Sequence, residues 1–138
     1  AKRQVDSSYE GFAGYHYGYN PSLLADRTGD ALSLIAMIRD NDKHRAERIL
    51  VAGAEGAGVI AAAAAALAGT AVDTLVTDTE GFRFAKLTDV WDVNFVPGAE
   101  KYGDVPAILA LCSAKSTVLG EKGAAGADTV AQAVVEGK

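Results

Sequence analysis

The sequence predicts an α/β fold, a parallel β-sheet with flanking helices, built as one domain of 138 residues. Three observations carry this. "RILVAG" (48–53) and "VDTLVTD" (72–78) are short apolar runs of the kind buried inside a parallel sheet. Segments of helical length and period lie before, between and after them. Strands alternating with helices mean crossover connections, and these are right-handed in a parallel sheet.

The elements follow in order. Residues 1–21 are rich in rings, with Tyr9, Phe12, Tyr15, Tyr17 and Tyr19 interrupted by Gly11, Gly14 and Gly18, and read as an aromatic loop. Pro21 suits the first turn of a helix with Asn20 as its cap. Leu24, Leu32, Ile35, Met37 and Ile38 then give a stripe of roughly helical period, so the first helix spans about 22–40. After the strand at 48–53, a helix at 57–68 contains six consecutive alanines (61–66), which allow close packing on a sheet. The strand at 72–78 leads into an irregular connection, 79–103, of a length that is uncommon without a purpose. "DVPAILALC" (104–112) is a short helix with Asp104 as its cap. "STVLGE" (116–121) is the third strand, and 126–136 the last amphipathic helix. Three strands are few for such a sheet. Either the first twenty residues add one, or the chain is part of something larger.

Composition narrows the functional classes. The chain is 49% apolar, enough to build a core. Its net charge is −5 and its basic residues are scattered, so a nucleic-acid partner is not expected. Residues 56–72 are uncharged, but they are mostly Ala and Gly and shorter than the roughly 20 residues of a membrane span. The lone Cys112 has no internal disulfide partner and reads as core. The opening "AKRQVDSSYEG" is polar, a pattern that a secreted chain freed of its leader would share, so the compartment stays open.

The turn after the first strand, "GAEGAG" (53–58), supports two chemistries. As a dinucleotide site, Gly53, Gly56 and Gly58 would admit a pyrophosphate to the backbone N–H groups of the following helix. Asp78, twenty residues past Gly58 at the end of the next strand, would take the ribose. Glu55 opposes this, because a carboxylate at the mouth repels phosphate. As a nucleophile elbow, Gly53 is the leading glycine, Glu55 holds the nucleophile position and Ala57 the small position after it. A carboxylate is a poor acyl-transfer nucleophile, and 53–58 contains neither Ser nor Cys.

Four segments carry a resemblance: "GYNPSLLADRTGDALSLIAMIRD", "GAEGAG", "DTEGFRF-KLTD" and "NFVPGAEKYGDVPAILALC". From about residue 14 to about 121, the chain resembles the central-to-C-terminal part of α/β-hydrolases of the dienelactone hydrolase and acetyl xylan esterase type. Arg27 and Asp30 stand where that family carries an Arg and an Asp three apart on the helix before the elbow. The resemblance implies a partial three-layer αβα architecture and a Ser-His-Asp esterase ancestry. It slightly favours a secreted or periplasmic setting. The chain departs from the pattern at the catalytic positions. Glu55 replaces the serine, and Glu121 occupies a possible acid position. The two histidines, His16 and His44, both precede the elbow.

Three functions are therefore expected in order. The first is a hydrolase-like domain without a visible triad, acting as a structural or interaction subunit or as part of a larger protein, with another chain or another copy as partner. The second is a carboxylic or carbohydrate ester hydrolase completed by another chain or segment. The third is a dinucleotide-binding module. No cofactor or metal is expected outside the third. Each candidate residue also has a plainer reading: Glu55 as a solvated turn residue, Asp78 as a brace for the next loop, Glu121 as a surface acid, and His16 as a packing residue among aromatics.

Overall fold

The computed structural model describes residues 13–41 and 46–137. Tyr9, Phe12 and His44 lie outside the described residues. Three strands, β1 (Leu50–Gly53), β2 (Thr74–Asp78) and β3 (Lys115–Leu119), pair in parallel in the order β1-β2-β3. Val51 lies beside Leu75, and Val76 beside Thr117. The α/β architecture expected from the alternation is the one observed.

Among the described residues there are five α-helices: α1 (Ala13–Tyr19), α2 (Leu23–Arg39), α3 (Gly58–Ala68), α4 (Asp104–Ala110) and α5 (Ala127–Val135). Successive side chains of the central strand point to opposite faces. Leu75 joins a core with Ile35 of α2 and Ala61, Ala62, Ala64 and Ala65 of α3. Its neighbour Val76 joins a second core with Val130 and Ala133 of α5. Helices thus cover both faces, as a parallel sheet requires. The alanine run is what lets α3 sit between sheet and α2, since Ala62, Ala64 and Ala65 are fully buried there. At the opposite end of the strands from the glycine turn, the Asp73 carboxylate accepts the Ile49 N–H at 2.8 Å and lies 3.7 Å from the Arg39 guanidinium. Among the described residues no helix is long and apolar enough to cross a membrane.

Two sequence expectations are corrected at the start of the chain. Residues 13–19 form a helix, where an aromatic loop was expected. Seven residues are too few for a helix to persist on propensity alone; packing holds this one. The Tyr17 ring lies 5.9 Å from Trp91 and 5.2 Å from Phe95, and His16 lies 5.6 Å from Trp91. The Tyr17 hydroxyl donates to the Val90 carbonyl at 2.7 Å. The ring-bearing segment 13–19 and the long connection 79–103 therefore contact each other on one side. Tyr15 and Tyr19 remain exposed on the other.

The second correction concerns capping. Ser22, not Asn20, begins α2: its backbone is extended and its hydroxyl accepts the Ala25 N–H. Asn20 instead closes α1, with its N–H and its side-chain amide both donating to the His16 carbonyl.

The long connection 79–103 is held by a series of carboxylate–backbone turns. Asp89 accepts the Trp91 N–H and Asp92 accepts the Asn94 N–H. Asp104 does more than begin α4. Gly103, at φ +96°, holds the cap position that was expected of it. The Asp104 carboxylate accepts the N–H groups of Phe84 and Ala85, each at 3.0 Å, as well as that of Val105. "GFRF" and "KYGD" are thus clamped together, and Phe84 and Val105 share a core with Leu24 and Val59. Burial pushes the Asp104 carboxyl up; the N–H groups of Ala85, Phe84 and Val105 and the charge of Arg83 outweigh it and hold it below its ordinary value.

Replacing Asp104 with Ala strands the Phe84 and Ala85 donors and is expected to lower stability by about 2 kcal/mol. Urea denaturation measures this. An unchanged midpoint would show that the clamp carries no weight.

Candidate functional site

The C-terminal ends of the strands are where ligands of open α/β sheets bind, and the glycine turn lies there. The Ala57 N–H donates to the Ala54 carbonyl at 3.0 Å, closing the turn. Closure places Glu55 at φ +51° and Gly56 at φ +82°. Glycine adopts such a conformation freely, whereas a residue with a Cβ loses roughly 1–2 kcal/mol in it. Glu55 is therefore a strained residue between a strand and a helix, with its side chain exposed to solvent.

The other glycines of the turn serve packing. A Cβ on Gly53 would come to 2.6 Å from the Ala61 Cβ and 2.8 Å from the Ala57 carbonyl oxygen. On Gly58 it would overlap the Asp78 carbonyl and reach 3.0 Å from the Thr77 hydroxyl oxygen. The Thr77 hydroxyl in turn donates to the Gly58 carbonyl at 2.7 Å. Helix α3 thus starts in direct contact with the end of β2, with no room for a side chain at that junction.

A second strained pair follows β2, with Glu80 at φ +52° and Gly81 at φ +67°. This turn reaches the first. The Gly56 N–H donates to Glu80 Oε1 at 2.6 Å. The Glu80 N–H donates to Asp78 Oδ1 at 2.9 Å. Asp78 Oδ2 accepts the N–H groups of Ala125 and Gly126, at 2.7 and 2.9 Å, just before α5. The loops that follow all three strands are tied together by two carboxylates. A Cβ on Gly120, at φ +66°, would collide with Asp78, so that glycine makes room for the carboxylate.

Asp78 is 1% exposed. Burial pushes its carboxyl up, but the three backbone donors at Glu80, Gly126 and Ala125 together outweigh it and hold it below its ordinary value. Both of its oxygens face inward. A ribose could reach them only by displacing these donors.

Around Gly56, Gly58, Asp78, Glu80, Phe82 and Asn94 lies a niche of about 70 Å³. Small-molecule sites usually measure about 300–1,000 Å³, so the niche is smaller than a usual ligand pocket. The N–H of Gly56, the residue after the elbow position, is the donor that would receive an oxyanion in acyl transfer or a phosphate in nucleotide binding. Here it holds the chain's own Glu80.

The remaining sequence candidates are dispersed. Glu121 lies past β3, exposed, with β2 between it and the Glu55 turn. His16 packs against the rings of Tyr17 and Trp91, and its Nε2 is buried without a hydrogen-bond partner. Arg27 and Asp30 are exposed on α2. Cys112 is partly buried, and burial raises its thiol above the ordinary value, which disfavours a reactive thiolate. Among the described residues no cluster of His, Cys, Asp and Glu is arranged to hold a metal ion. Sequence reading missed Glu80. The one signal for it was the glycine that follows, which marks a left-handed turn at the strand end.

A separate apolar groove of about 350 Å³ lies between α2, α3 and α4, lined by Leu24, Leu32, Ala66, Leu67, Phe84 and Leu111 among others. The Thr28 hydroxyl on its wall donates back to the Leu24 carbonyl, so its proton is already engaged.

Fold and site together define an α/β protein with helices on both faces of a parallel sheet and a carboxylate-braced turn at its C-terminal edge. Comparisons with protein-family models, with curated proteins and with solved structures each return no match.

Proposed function

We propose that the chain is an α/β-hydrolase-derived domain that has kept the elbow and lost its acyl-transfer chemistry, and that it serves as a structural or interaction domain. The hydrogen bond from the Gly56 N–H to Glu80 carries this reading. An esterase needs that position open for the developing oxyanion. A resident carboxylate both fills the position and repels negative charge. The strained backbone of Glu55 supports the same reading, since strain at that junction is how an elbow presents its side chain.

The purified chain is expected to show no hydrolysis of p-nitrophenyl acetate above the uncatalysed rate. Glu55→Ser alone is expected to add none, because Glu80 still fills the oxyanion position and both histidines precede the elbow in the chain. Turnover abolished by a serine-directed probe would overturn the reading.

The interaction role draws on the sheet edges. β1 and β3 are both outer strands among the described residues, and β1 carries no charge, proline or bulge of the kind that guards natural edges. Leu50 on β1 is 40% exposed. In sedimentation velocity the chain is expected to run as a species larger than one copy, and Leu50→Lys to return it to a monomer. A strictly monomeric chain at high concentration would remove the edge from the proposal.

A further inference from the structure

We draw no further inference here: the strongest candidate, the apolar groove between α2, α3 and α4, is an unpartnered face, and nothing in the structure shows what covers it.

Discussion

Asp78→Ala is expected to lower stability by about 3–5 kcal/mol, because it leaves the N–H groups of Glu80, Ala125 and Gly126 without their acceptor. That is a large part of the roughly 5–15 kcal/mol that separates a folded domain from its unfolded chain. Asp78→Asn keeps one acceptor oxygen but turns an amide N–H₂ toward backbone donors, so an intermediate loss is expected. Urea denaturation followed by circular dichroism measures both. The effect on binding separates the bracing role from the ribose role. A ribose ligand would leave the urea midpoint unchanged on substitution and weaken only a calorimetric titration with dinucleotide.

The same carboxylate sets an acid limit on the fold. The Asp78 pKa is lower in the folded state than the ordinary 3.8, and Asp104 is shifted the same way. A depressed folded value means that the unfolded chain binds the proton more tightly. The stabilisation is therefore fully present above about pH 4 and is lost as pH falls through the lowered folded values. In Asp78→Ala, the part of this acid sensitivity that belongs to Asp78 is expected to vanish. A variant as acid-sensitive as the parent would show that Asp78 does not link proton binding to folding.

Gly58→Val is expected to cost about 3 kcal/mol or more, the upper range for forcing atoms into a packed site. The collision is with the Asp78 carbonyl and the Thr77 side chain, so the backbone of β2 itself would have to move. Gly56→Ala gives the contrast. Beyond its chain neighbours no atom lies within 4 Å of where a Cβ would sit, and only the left-handed backbone at φ +82° opposes one, at about 1–2 kcal/mol. If the glycines were present to admit a phosphate, both variants would fold alike and differ in ligand affinity. Thermal unfolding distinguishes the cases, and a Gly58→Val chain as stable as its parent would refute the packing role.

The sequence by itself determined the order of strands and helices from α2 onward. Local composition suffices for this: β1 and β2 are short apolar runs flanked by polar or glycine residues, α3 is an alanine block, and α2 has a helical stripe. It also made the turn at 53–58 visible, because glycines at a strand–helix junction signal a close approach whatever is approached. What approaches Gly58 was not legible. The contact is β2 itself, nineteen or twenty residues away in the chain, and only folding brings Asp78 onto that glycine.

Helix α1 shows the same limit from the other direction. Seven residues with glycines and tyrosines carry no local helical signal, and Trp91 and Phe95, more than seventy residues downstream, supply the packing that holds them. The roles of Asp78, Glu80 and Asp104 likewise depended on the tertiary structure. A carboxylate in a sequence reads equally as a surface charge, a ligand or a catalyst. Which it becomes depends on the donors that face it, and here those are backbone N–H groups that long-range folding delivers.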